Sequence, residues 1–287
     1  GEPMSARLVE AGYPVLGLDP SPSAREAAAA RGVVLADSPA ELAQRADVVI
    51  LMLPNSDIVE AVTAQLLEGG ASDRQLKIVI DMSSSDPSRT RALAERLLNE
   101  QVTLVDAPVS GGVVGAVDGK LTIMVGGPQE TVDELTELLS VVGSRVVHVG
   151  SSGSGHAVKA LNNLLSATHL LATNEAALVA ARFGIDPELL MTVVNSSSGR
   201  SGSSEVKLPR YVFTRAFDSG FSADLLEKDV GIARRLAHEV GVETPVGDAV
   251  VDQWRVLNAE LSRGSDHTAI IQPLEKRYDV EIRPAST

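Results

Sequence analysis

The chain has 287 residues, 44% of them hydrophobic, and carries 38 acidic against 25 basic side chains for a net charge of −13. That length and apolar content suffice for one large or two ordinary globular domains, while the negative balance and the lack of a Lys/Arg-rich run oppose binding to a phosphate backbone, so nucleic acid is not expected as a partner. The absence of cysteine removes disulfides, thiolate catalysis and the usual ligands of structural zinc.

The chain opens on Gly1-Glu-Pro-Met-Ser-Ala-Arg-Leu-Val-Glu-Ala-Gly12, which reads as a helix stopped by Gly12 and feeding a strand that ends at Asp19. A βαβ nucleotide fold begins one step earlier, with a strand and a G-x-G-x-x-G loop that cradles a pyrophosphate at the helix N-terminus. Gly1 matches the last of these glycines. The expectation is that about eleven residues, a strand and five loop positions, precede Gly1 in the natural protein, and that a sheet lacking them has unpaired strands. Asp19 lies where an acidic residue bonds the adenosine ribose 2′-OH of NAD, although Asp19-Pro20-Ser21-Pro22 is equally good turn chemistry. A 2′-phosphate would meet the carboxylate's repulsion, and the nearest arginine, Arg25, sits in the next helix. NAD is therefore preferred over NADP.

Residues 15–18, 48–53, 78–80 and 103–105 are short apolar runs separated by helical stretches, the signature of a parallel sheet covered on both faces. Residues 121–125 and 145–149 add two strands around a helix at 129–139. Leu53-Pro54-Asn55 and Asp81-Met82-Ser83-Ser84 end two strands at the edge along which a dinucleotide would lie; turn-forming Pro/Asn and helix-capping Ser explain them equally well. Asp106-Ala-Pro-Val-Ser110-Gly111-Gly112 offers a hydroxyl and side-chain-free backbone N–H groups at a strand's carboxyl end, which suits a substrate carboxylate.

Past Gly155 the strand signals stop and helical periodicity covers 157–183, 186–195, 223–240 and 244–260, with Gly184 as a stop and Asp186-Pro187 as the next start. Residues 196–204 are Ser/Gly-rich and read as a loop. The fold class is α/β: a Rossmann-type doubly wound domain over 1–152, its first strand missing, followed by an all-helical substrate and dimerisation domain over 153–287. A flexible Gly153-Ser-Gly155 segment leads into the long helix, where Lys159 and Asn163, four residues apart, share one face. An ionisable amine and an amide can thus converge on one small ligand. Residues 157–181, interrupted by Lys159, Asn162, Asn163, His169, Asn174 and Glu175, are too polar for a membrane span. No targeting signal is visible and a cytoplasmic location is expected. His156, His169, His238 and His267 have no ligand spacing, so no metal is expected.

The run from Asp106 to Gly127, the run from Gly153 to Asn163, Phe221-Ser-Ala-Asp-Leu225-Leu-Glu-Lys228-Asp229 and Asp266-His-Thr268 together resemble the 3-hydroxyacid dehydrogenase family, which includes 3-hydroxyisobutyrate dehydrogenases, tartronate semialdehyde reductases and glyoxylate or succinic semialdehyde reductases. The resemblance covers essentially the whole chain. It implies an NAD(P)-dependent oxidoreductase that interconverts a small 3-hydroxyacid and its semialdehyde or keto acid, with Lys159 as general acid/base, Asn163 holding the substrate, and Ser110, Gly111 and Gly112 contacting its carboxylate. Cofactor contacts are implied at Gly1, Met4, Asp19, Leu53, Pro54, Ser84 and Lys228. Helix capping suffices for Asp266, and Arg200 in the loop could meet an acidic substituent but reads as an exposed arginine. Extensive apolar helix surface points to a homodimer or homotetramer. Two other readings stand beside this one: a non-catalytic NAD-binding scaffold, and a decarboxylating relative of 6-phosphogluconate dehydrogenase, for which the helical region is short.

Overall fold

The computed structural model describes residues 1–68 and 70–284 and divides the chain into two compact units, Gly1–Lys159 and Ala160–Thr287. The first unit runs α1 (Glu2–Glu10), β1 (Leu16–Gly17), α2 (Pro22–Ala30), β2 (Val34–Leu35), α3 (Pro39–Arg45), β3 (Val48–Leu51), α4 (Ser56–Leu66), β4 (Ile78–Asp81), α5 (Pro87–Asn99), β5 (Thr103–Asp106), β6 (Val109–Ser110), α6 (Gly112–Asp118), β7 (Thr122–Gly126), α7 (Gln129–Val142) and β8 (Arg145–Gly150). β3, β4 and β5 pair in parallel, as near-continuous apolar strands require. Neighbouring residues of β4 face opposite sides: Ile78 and Ile80 join a core with Met4 and Leu8 of α1 and Val132, Leu135 and Leu139 of α7. Val79 joins the opposite core with Val59 and Leu66 of α4 and Leu93 and Leu97 of α5. The sheet is thus covered by helices on both faces, which is the doubly wound architecture.

Two features differ from the sequence reading. The sheet is mixed, because the chain between β5 and β7 is used for β6 and a seven-residue helix, so that β7 returns antiparallel to β5 and β6 while β8 lies parallel to β7. The strand expected at 15–18 shrinks to two residues and pairs in parallel only with Val34–Leu35, a stretch with no strand signal of its own. The β1–β2 pair is separate from the six-stranded sheet, and β3 is an edge of the latter. Gly12 stops α1 with φ +90°, as expected of a C-terminal glycine.

α8 (Ser154–Phe183) carries residues 160–183 of the second unit, followed by α9 (Pro187–Asn195), a π-helical segment (Ser203–Val212), α10 (Ala223–Glu239), α11 (Pro245–Asn258), a 3₁₀ turn (His267–Ile271) and α12 (Gln272–Tyr278). Among the described residues, every regular element of the second unit is a helix. Gly184 ends α8 with φ +92°, and Asp186 caps α9 by accepting the Glu188 and Leu189 N–H groups, with Pro187 in the first turn. The π-helical segment begins inside the loop expected at 196–204 and takes Ser203 and Ser204 into a helix; its interior Pro209 lacks an N–H, consistent with a widened hydrogen-bond pattern. By length and composition α8 passes the test for a membrane-crossing helix, against the sequence expectation. One face of it is a core face, where Ala167, Leu170, Leu171, Ala177 and Leu178 pack with Trp254, Leu226 and Val251, while Leu161, Leu165, Val179 and Phe183 are exposed.

Candidate active site

The site begins at the carboxyl ends of β4 and β5, where Asp81 and Asp106 stand side by side in register and are both buried. A buried carboxylate must be satisfied by donors, and these two are. Asp81 accepts the Ser83 N–H at 2.9 Å and the Ser85 hydroxyl at 2.7 Å. Ser83 Oγ in turn accepts the Leu53 N–H at 2.9 Å, tying the ends of β3 and β4 together. Within the run 81–87 only Ser84 is not buried, so it is the residue of this loop left accessible to a ligand. Asn55 caps α4, accepting the Ile58 N–H at 3.0 Å. The cap of α5 is Asp86, which corrects the reading of the neighbouring serines as helix caps: a carboxylate accepts from two N–H groups at once, here Ser88 and Arg89.

Asp106 accepts the Gly153 N–H at 2.6 Å and the His156 N–H at 2.9 Å. Burial pushes its carboxyl up from the ordinary range, opposed by His156 and by these backbone bonds. The His156 ring is itself buried, with Nδ1 2.8 Å from the Thr90 hydroxyl and Nε2 3.1 Å from the Ser83 carbonyl. A Cβ on Gly155 would stand 2.3 Å from the Met124 carbonyl oxygen and 2.8 Å from the Asp106 carboxylate. The Gly153–Gly155 segment is therefore a pinned turn and not a flexible one: glycine is needed because strand and helix backbones approach closely. This turn fixes the first turn of α8, and Lys159 follows one turn later. Lys159 is half-buried and engaged in an interaction rather than standing out in bulk water. Asn163 is buried.

Ser110 ends β6, opposite Thr122, and Gly111 and Gly112 follow on the surface at the start of α6. Gly111 has φ +134° and Gly112 φ +64°, conformations that favour glycine. The hydroxyl and the two bare backbone positions stay accessible as a group. At the other end of the unit Gly1 is the N-cap of α1, with no side-chain cap of its own. The Asp19 carboxylate is exposed and accepts the Ser21 N–H at 2.8 Å, so it serves the local turn. Met4 is a correction: its side chain is buried in the core and its N–H bonds the Gly1 carbonyl at 3.1 Å, which leaves it a packing residue without a free group for a cofactor. Leu53 has its N–H committed to Ser83, while Pro54 has an N without hydrogen and lies on the same strand end.

In the second unit the Asn163 amide donates to Asp229 Oδ2 at 2.6 Å, and Lys228 Nζ lies 3.3 Å from Asp229 Oδ1. The structure thus joins Asn163 and Lys228 through a buried carboxylate to which the sequence reading gave no role. The signal was present: Ala223, Leu226, Val230, Ala233 and Ala237 form the buried stripe of α10, and Asp229 is also buried, a carboxylate at a core position of an amphipathic helix. Asp266 is a cap, accepting from Thr268 at the start of the 3₁₀ turn and from Ser219 and Gly220. Arg200 is exposed and faces Glu205 at 3.6 Å.

Residues 1–150 match the family described as the NAD binding domain of 6-phosphogluconate dehydrogenase, and residues 153–274 the one described as NAD-binding of NADP-dependent 3-hydroxyisobutyrate dehydrogenase. The chain is 35% identical over 284 residues to a 2-(hydroxymethyl)glutarate dehydrogenase of Eubacterium barkeri, covering 98% of this chain and 94% of the relative. Among solved structures it resembles 3-hydroxyisobutyrate dehydrogenase of Mycobacterium tuberculosis with L-serine (TM-score 0.88, 31% identity, 95% of this chain and 94% of that one). It also resembles Psf3 in complex with NADP+ and 2-OPP (TM-score 0.83, 25% identity, 96% of both chains). The chain belongs to the 3-hydroxyacid dehydrogenase family of NAD(P)-dependent oxidoreductases.

Proposed function

We propose that the chain interconverts a small 3-hydroxyacid and its semialdehyde or keto acid, with Lys159 as general acid/base. The observation that carries this reading is the pinned start of α8: Asp106 holds Gly153 and His156, so the amine of Lys159 projects from a helix whose first turn is fixed to the strand ends. A positioned acid/base needs such a fixed support. Ser110, Gly111 and Gly112 hold the substrate carboxylate, the hydroxyl donating one hydrogen bond and the glycines leaving room for close approach. Asn163 orients the hydroxyl-bearing carbon, its own amide held by Asp229.

The residues fit a dinucleotide: α1 has no side-chain cap at Gly1, the Asp19 carboxylate is exposed just past β1, and Ser84 is accessible in an otherwise buried loop. Bound there, NAD(P) would supply the hydride acceptor of the oxidative direction and the hydride donor of the reverse one. Lys159 takes the hydroxyl proton in that direction and returns it in carbonyl reduction. Gly1, Asp19, Leu53, Pro54, Ser84 and Lys228 are the proposed cofactor neighbours, and the Asp19 carboxylate supports NAD over NADP. A cytoplasmic homodimer or homotetramer is part of the same proposal, and light scattering on the purified protein reads the subunit number.

The test is Lys159→Ala. Turnover should fall by roughly 10²–10⁴-fold while NAD binding, followed by calorimetry, changes little. A variant that keeps most of its activity removes Lys159 from the chemistry, and a wild-type chain that binds NAD yet oxidises no hydroxyacid favours the non-catalytic scaffold.

A further inference from the structure

Lys207, in the π-helical segment, is the residue that neither the family motifs nor the proposed chemistry uses. Its ammonium donates to the Ser166 hydroxyl at 2.8 Å, and among the described residues no carboxylate lies within ion-pairing distance of it. Burial lowers the amine to about 8, Asp266 opposing the shift through space. The oxygens of Asp266 are already bonded by Ser219, Gly220 and Thr268, and the other titratable neighbour, His267, is held at about 4 by burial and by Lys207 itself, so it is neutral near pH 7. A half-buried cation without a close anion is an unfavourable arrangement unless something else completes it.

Its position suggests what. Ser166 lies three residues beyond Asn163 on α8, a rise of about 4.5 Å along the helix, so the ammonium stands roughly one turn past the amide that the proposed function assigns to the substrate. A short carbon chain spans that distance. We propose that Lys207 is a specificity-determining residue that pairs with a second carboxylate at the far end of the substrate, making this chain selective for 3-hydroxyacids that are dicarboxylates. The inference rests on the proposed function for the placement of the substrate beside Asn163. Arg200 cannot take this part as readily, since it is exposed and already faces Glu205.

The experiment compares wild type, Lys207→Met and Lys207→Arg on 2-(hydroxymethyl)glutarate and on 3-hydroxyisobutyrate, each with NAD and NADP. Wild type should favour the dicarboxylate. Lys207→Met should lose about 10-fold or more in kcat/KM on it, mainly through KM, the size expected for a charged hydrogen bond, and stay within about 3-fold on the monocarboxylate. Lys207→Arg should recover part of the loss. Equal losses on both substrates, or none on either, overturn the inference. If wild type oxidises neither compound, the dehydrogenase reading fails separately, and calorimetric binding of 2-(hydroxymethyl)glutarate in the presence of NAD decides the inference: tighter binding to wild type than to Lys207→Met supports it, and equal or undetectable binding to both overturns it. Melting temperatures confirm folding, and Lys207→Met should melt no lower than wild type because it removes an incompletely paired buried charge.

Discussion

The two units treat their buried polar groups in opposite ways. In the first, Asp81 and Asp106 are saturated by backbone N–H groups and hydroxyls, and their work is to hold loops and a helix start in one arrangement. In the second, Asp229 Oδ1 has an ion-pair partner in Lys228 but no hydrogen bond, and the Lys207 ammonium has a neutral hydroxyl as its partner. Saturated groups fix shape, whereas incompletely satisfied ones keep capacity for a ligand. The first unit's carboxylates thus act as local supports, and the second unit's polar groups include the side chains proposed above to meet a ligand.

The sharpest way to break this comparison is Gly155→Ala in the pinned turn. A methyl group 2.3 Å from a backbone carbonyl oxygen cannot be relieved by turning a side chain, so we expect a loss of more than about 3 kcal/mol, or failure to fold. Urea denaturation measures it, and a loss below about 1 kcal/mol would show that the turn gives.

A smaller effect is expected from His267 in the second unit. Burial first, then Lys207, lowers its pKa from 6.5 to about 4. The unfolded chain therefore binds a proton below pH 6.5 that the folded chain refuses until about pH 4, so stability is lost as pH falls through that window. The size is up to about 3 kcal/mol. Denaturation of wild type and His267→Gln at pH 7 and pH 4.5 reads the difference; parallel pH dependence in the two proteins would remove His267 as the source.

The mildest prediction concerns Asp19, which lies on the surface and also serves its own turn. Asp19→Asn should shift the ratio of kcat/KM for NAD over NADP by about 10-fold towards NADP, the worth of one charged hydrogen bond. An unchanged ratio would assign Asp19 to the turn alone.

Much of both units could be read before folding. The apolar runs of β3, β4 and β5, the Gly12 and Gly184 stops, and the Asp186-Pro187 start each follow from local chemistry, so short-range rules found them. β6 and the pairing of Val34–Leu35 were missed because a two-residue strand exists only through its neighbour. Asp81 and Asp106 were quoted as strand ends but not recognised as supports, since the groups they hold lie 2 to 50 residues away along the chain. The contact at Met4 was implied by the resemblance alone, and the packing of α1 on the sheet, which turns that side chain inward, leaves no local signal.

The sequence by itself determined the alternation of strands and helices, the switch to an all-helical region, and the Ser-Gly-Gly and Lys-x-x-x-Asn motifs, because periodicity, glycine conformation and i, i+4 spacing are local properties of the chain. Tertiary structure alone decided that Gly153–Gly155 is pinned, that Asp229 bridges Asn163 and Lys228, and that Lys207 is half-buried beside Ser166. Burial and the company of a charge depend on residues distant in sequence, and no local rule carries that information.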